Sequence, residues 1–143
     1  MVYKVNLVVV GKIKEKNINS LIDEYSKRLG PFIKLSVKEL KDEGIEKESK
    51  KISDLIAEED GHLFILDAKG RQFTSEDFSL FLKKIDEITF VIGGPDGIKD
   101  EVKRKSNLIS ISSMTFTHEM CRLFLLEQVY RAMMIEKGRS YHK

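Results

Sequence analysis

The segment from about His118 to Glu136 constrains the fold more than any other part of the chain. At about 100° per residue, Met120, Leu123, Phe124, Leu125, Leu126, Val129, Tyr130, Ala132, Met133, Met134 and Ile135 fall on every side of a helix rather than along one stripe. Such a helix has to be covered on more than one face. A sheet covers one face, so a second copy of the chain is expected to cover another, giving a homodimer; the alternative is cover by neighbouring helices of the same chain. The few polar residues stand out. Glu127 and Arg131 are spaced i, i+4 in the favourable order and pair on the surface or across an interface. Arg122 lies on another side, where an arginine is either paired structurally or, near a ligand mouth, suited to phosphate.

Around this helix, short apolar segments alternate with amphipathic ones. Tyr3 to Gly11 alternates and then runs apolar through Val5, Leu7, Val8, Val9 and Val10, a first strand ended by glycine. Asn17 or Asn19 is the expected cap of a helix running to about Leu29 and closed by Gly30-Pro31. Ile33, Leu35 and Val37 mark strand 2, and Glu46 to Glu59 reads as a helix exposed on most of its circumference. Leu63 to Leu66 is strand 3, followed by an expected loop, Asp67-Ala68-Lys69-Gly70. Thr74 opens a helix with Phe78, Phe81, Leu82 and Ile85 on its apolar face. Thr89 to Ile92 is strand 4, Lys99 to Lys105 a short basic helix, and Leu108 to Ser112 strand 5. The alternation predicts an α/β fold, a mostly parallel sheet flanked by helices, over residues 1–143 as one domain.

Composition narrows the class. The 143 residues contain no apolar run near the ~20 residues of a membrane span and no leader pattern, so a soluble, cytoplasmic protein is expected. The single cysteine, Cys121, rules out an internal disulfide and a cysteine-based zinc site, and no carboxylate and histidine cluster is visible, so no metal is expected. The formal net charge is +2, but it is unevenly spread: residues 99–143 hold 9 Lys+Arg against 5 Asp+Glu, and the remainder is net negative.

In open parallel sheets, ligands bind beyond the carboxyl ends of the strands. Three such ends are unusual here: Leu66 to Gly70, Gly93-Gly94-Pro95-Asp96-Gly97, and the hydroxyl-rich Ser110 to Thr117 with Met114 and Phe116 interleaved. Glycines let backbone approach a ligand, and hydroxyls grip polar edges, so together these loops suit a pocket with backbone hydrogen bonds and apolar walls. Neither a dinucleotide fingerprint nor a P-loop nor a nucleophile elbow is present. Lys12, Lys14 and Lys16 after strand 1 form either a solvated turn or a phosphate contact. The tail Arg139-Ser140-Tyr141-His142-Lys143 is either frayed or, given its aromatic, imidazole and cations, suited to stacking on a base and contacting phosphates.

The stretches Phe90 to Gly97, Met114-Thr115-Phe116-Thr117-His118, Arg122 to Ala132 and terminal Tyr141-His142-Lys143 closely resemble the RlmH family, and the resemblance extends over essentially the whole chain. These are small SPOUT-class methyltransferases with a C-terminal trefoil knot. The resemblance implies methylation of N3 of a pseudouridine in large-subunit (23S) ribosomal RNA from S-adenosyl-L-methionine, by a homodimer. It implies that Leu66, Gly93, Ile111, Ser112, Ser113, Met114, Thr115 and Phe116 hold the cofactor. His142 is then the candidate base or base-positioning group and Arg131 the stabiliser of the uracil anion or phosphate, with Arg122, Arg139, Tyr141 and Lys143 toward RNA. His118 is expected to be structural. The chain departs from the family at Thr117 and Ser140, where proline is common, and the first change is expected to loosen its loop. The modest net charge suits recognition of an assembled ribosome surface rather than coating of RNA.

Two rivals remain. A Rossmann-type methyltransferase or oxidoreductase would carry a Gly-rich loop after strand 1, which Gly11-Lys12-Ile13-Lys14 fits poorly. A non-catalytic ribosome-binding module is the alternative from another class.

Overall fold

The computed structural model describes residues 1–58 and 62–143. In it β1 (Lys4–Val10), β2 (Lys34–Leu40), β3 (His62–Gln72), β4 (Glu87–Ile92) and β5 (Asn107–Ser110) form one sheet in the order β2-β1-β4-β3-β5. Every pairing is parallel, so the mostly parallel expectation becomes an all-parallel sheet. Between the strands run α1 (Lys16–Leu29), α2 (Ile45–Glu58), α3 (Ser75–Lys83) and α4 (Asp100–Arg104), and α5 (His118–Glu136) closes the fold. The expected end of α2 at Glu59 lies outside the described residues.

The continuous apolar run of β1 follows from burial on both faces. Leu7 and Val9 join the larger core under α1, α3 and α5, whereas Val8 and Val10 join a smaller one under α2 and α4. Phe90, Leu7, Leu126 and Met133 are fully buried, each contributing about 1.5–3 kcal/mol relative to exposure. Edge strand β2 carries exposed Lys34 and Lys38, which discourage pairing with another sheet.

Several local expectations are corrected. The cap of α1 is Glu15, whose carboxylate accepts from the Ile18 N–H at 2.9 Å; Asn17 and Asn19 lie inside the helix. Residues 67–70 do not end β3 but bulge from it: Leu66 and Arg71 both pair with Ile109, and the four residues between loop out. Strand β5 stops at Ser110, leaving Ser112 in the following loop. Helix α2, read as mostly solvated, buries Glu48 and Ser49. The Glu48 carboxylate accepts the N–H groups of Glu43 and Gly44 at 2.8 and 2.7 Å, and Ser49 Oγ accepts the Lys99 N–H at 3.0 Å. Thr117 does not loosen its loop: its Oγ1 accepts the Met120 N–H at 3.3 Å and caps α5, which a proline side chain could not do.

Much of the cover for α5 comes from its own chain. The sheet lies beneath it and α1 and α3 flank it, so that no residue of the helix is exposed. Met120, Phe124, Tyr130 and Ile135 are only half-buried, so part of the apolar surface expected to meet a second copy stays uncovered.

Candidate active site

The strand order makes β4, β3 and β5 neighbours, which brings the loops after β4 and β5 against the bulge of β3. There they wall an open cavity of about 1090 Å³. Of the eight residues expected to hold a cofactor, Leu66, Gly93, Ile111, Ser112, Met114, Thr115 and Phe116 line it; Ser113, exposed, does not. Ile92, Ile98 and Ile111 supply apolar wall, and Phe116 is braced edge-on by Phe124 with centroids 5.1 Å apart.

Each wall is fixed by identifiable contacts. A Cβ added at Gly93 would stand 2.8 Å from Ile98 Cγ1 and 3.3 Å from the Gly97 carbonyl carbon, so the glycine lets the β4 loop fold back on itself. Gly97 has φ of 79°, the left-handed region that completes that turn. In the β3 bulge, Asp67 binds Lys103 at 2.7 Å and accepts the Lys69 N–H at 2.9 Å. Burial pushes the Asp67 carboxyl up, but the Lys103 ammonium and the Lys69 N–H outweigh it and hold the group below its ordinary range. The loop after β5 is held by Ser110 Oγ, which lies 2.7 Å from the Ser112 carbonyl and 3.2 Å from that of Ala68.

A fourth wall is absent from the sequence reading. Glu15 and Ile18 reach the cavity because Glu119, in the first turn of α5, accepts the N–H groups of Glu15 and Lys14 at 3.2 and 3.3 Å. The segment after β1 is thus tied by a carboxylate 104 residues away, a pairing no local pattern announces. These N–H groups hold the Glu119 carboxyl below its ordinary value of 4.5. A carboxylate whose folded value is lowered contributes above the unfolded value and loses that contribution as pH falls through the folded one. The loop is therefore expected to loosen only in acid, below about pH 4.5. At neutral pH, Glu119→Gln should speed amide hydrogen exchange at Lys14 and Glu15 about tenfold, through loss of charge-assisted hydrogen bonds; unchanged exchange would disconnect Glu119 from the loop. Arg104 and Lys103 line the same cavity, and His118 stands at the start of α5 beside it. Burial raises the pKa of Cys121, keeping that wall thiol protonated and non-nucleophilic.

The tail is not frayed. The Arg139 N–H donates to Met134 O at 2.9 Å, and Arg139 lies over the Phe32 ring. Tyr141 is 3.0 Å from the Tyr25 hydroxyl and donates to Glu127 at 3.1 Å, with the Tyr130 ring edge-on. Burial, then the Tyr25 hydroxyl and Glu127, push the Tyr141 phenol well above its ordinary range, so it stays protonated and does not serve as a base. Arg131 pairs with Glu127 within the helix at 2.5 Å, and its Nη1 lies 3.1 Å from His142 Nδ1. Lys143 is exposed. Arg122 faces Glu39 at 3.9 Å with its side chain 12% exposed and its Nε unpartnered.

These groups form two clusters. Arg131 is ten residues along α5 from Cys121, about 15 Å at the helical rise, and neither it nor His142 lines the cavity. Among the described residues no three His, Cys, Asp or Glu side chains come together as a metal site, and no helix is long and apolar enough to cross a membrane.

A family model described as "Predicted SPOUT methyltransferase" matches residues 3–142. The chain belongs to the SPOUT methyltransferase family. Curated relatives named "Ribosomal RNA large subunit methyltransferase H" match it nearly end to end. The one from Clostridium acetobutylicum is 41% identical over 97% of this chain and 99% of its own. The one from Streptococcus suis is 40% identical over 98% and 99%. A solved structure titled as a probable methylase family protein from Haemophilus influenzae Rd KW20 superposes with a TM-score of 0.61 at 10% identity. It covers 97% of this chain and 70% of that one, a likeness of fold alone.

Proposed function

We propose that this SPOUT domain, 1–143, methylates N3 of a pseudouridine in large-subunit (23S) ribosomal RNA from S-adenosyl-L-methionine, acting as a homodimer on the assembled ribosome in the cytoplasm. The observation that carries the reading is the convergence of the β3 bulge and the loops after β4 and β5 on one cavity in a SPOUT chain, whose curated relatives are named large-subunit rRNA methyltransferases. The cavity suits the cofactor: apolar walls at Ile98, Ile111 and Phe116 accept its adenine and aliphatic parts, and loop backbone and hydroxyls supply polar contacts. The adjacency of β4, β3 and β5 also suits the trefoil knot that the resemblance implies, a rare exception to unthreaded topology.

When bound, the cofactor supplies an electrophilic methyl on a sulfonium. What remains for the chain is alignment and a proton. N3 of the base is an imide whose proton must leave before its lone pair attacks, so His142 accepts that proton and Arg131 stabilises the anion. Arg139, Tyr141, Lys143 and Arg122 serve the RNA side in this reading. The roughly 15 Å along α5 between cavity and tail argues for two copies. A homodimer lets the tail of one copy reach the cavity of the other, so the interface has a catalytic reason besides burial of α5.

Calorimetry with S-adenosylmethionine tests the cavity. Binding at one site per chain is expected, and no binding would favour a non-catalytic ribosome-binding module. Light scattering at micromolar concentration tests the pairing: a mass near twice 16.5 kDa is expected, and a monomer contradicts it.

A further inference from the structure

A carboxylate outside both the cavity and the expected catalytic pair touches His142. Glu76, in the first turn of α3, places Oε1 2.7 Å from His142 Nε2. On the other side of the ring, His142 Nδ1 lies 3.1 Å from Arg131 Nη1. A guanidinium nitrogen only donates, so Nδ1 must accept, and in the neutral ring the proton then sits on Nε2 and is donated to Glu76. The hydrogen bond to His142 is in turn what holds the Glu76 carboxyl below its ordinary range. Arg131 is itself fixed by Glu127, which also accepts from Tyr141. Three elements, α3, α5 and the tail, thus set one tautomer of one imidazole.

The geometry points to Glu76 as a positioning residue that holds His142 in its Nε2–H tautomer, so that Nδ1 and Arg131 Nη1 present an acceptor beside a donor to an imide edge. Resting on the reading of the reaction proposed above, the match is chemical. The imide offers an N–H next to a C=O, the complement of that pair. On docking, the single Nη1–H to Nδ1 bond is replaced by two, N3–H to Nδ1 and Nη1–H to the carbonyl oxygen. The N3–H bond then breaks toward Nδ1 while its electron pair stays on N3 and becomes the nucleophile. The imidazolium so formed faces the Glu76 carboxylate and the imide anion faces Arg131. The N3 pair forms the bond to the methyl as the sulfur–carbon bond breaks, leaving a neutral thioether, and His142 later returns its proton to water. The opposite tautomer would present an N–H to N3–H and do neither step.

The test separates tautomer from turnover. In ¹⁵N-histidine protein at neutral pH, with the His142 signals assigned through His142→Gln, wild type should show a protonated Nε2 and an unprotonated Nδ1. Glu76→Ala should mix the tautomers and lower kcat about tenfold, with KM for ribosomes within twofold. Glu76→Gln, whose amide oxygen still accepts from Nε2–H, should keep the tautomer and lose less activity. An unchanged His142 tautomer in Glu76→Ala, or a shifted tautomer with unchanged kcat, overturns the proposal. Wild-type protein that transfers no methyl at all defeats the proposed reaction instead, while the nitrogen shifts still decide the tautomer.

Discussion

His142→Ala is expected to lower kcat for methyl transfer by about 100-fold or more, the range for loss of a general base, while the affinity for S-adenosylmethionine stays within twofold. Both parts follow from geometry. His142 does not line the cavity, so its removal leaves the cofactor walls intact. The imidazole is the acceptor in the tail, because its Nδ1 faces the Arg131 donor, whereas the neighbouring phenol of Tyr141 is held protonated by burial, Tyr25 and Glu127. Without it the imide proton has to leave to solvent, and Arg131 loses the acceptor that faces it. The measurement is single-turnover methylation of ribosomes alongside calorimetry of the cofactor. Unchanged methylation kinetics would remove His142 from the mechanism.

Gly70→Ala is expected to be the most damaging glycine-to-alanine change among the described residues. The added Cβ would stand 2.6 Å from Ile109 N and from Leu108 C and 2.7 Å from Ile109 C, all of them backbone atoms of β5 that cannot rotate away. Either β5 separates from β3 or the bulge at residues 67–70 reopens, and both displace the Leu66 and Asp67 wall. Overpacking against backbone places the cost at about 3 kcal/mol, or roughly 10 °C in Tm for a domain of this size. Gly97→Ala is the control. Its Cβ meets nothing within 4 Å, and only the positive φ is strained, for about 1 kcal/mol. Equal thermal midpoints for the two variants would contradict the close β3–β5 approach.

The core elements were legible because their periodicities are strong. The valine run of β1 and the Phe78, Leu82 and Ile85 face of α3 read directly as structure. The pocket loops were legible by composition. What local pattern could not carry was everything set by chain-distant partners. Asp67 to Gly70 reads as a loop because a four-residue bulge uses loop residues, and only pairing with β5 shows that the strand resumes. Glu48 reads as one more solvated charge on α2, until backbone donors at Glu43 and Gly44 account for its burial. The all-round apolarity of α5 points to more than one covering surface, and α1 and α3 supply part of that cover within the chain. Glu76 reads locally as part of a helix start and Glu119 as a first-turn acid, since the partner of each lies far along the chain.

The most direct test of the central claim is methyl transfer from labelled S-adenosylmethionine to ribosomes lacking the modification, followed by nucleoside mapping of the large-subunit RNA. The account predicts one labelled nucleoside, a pseudouridine carrying the methyl on N3. Label on another nucleoside, or none from protein that binds the cofactor, would contradict it.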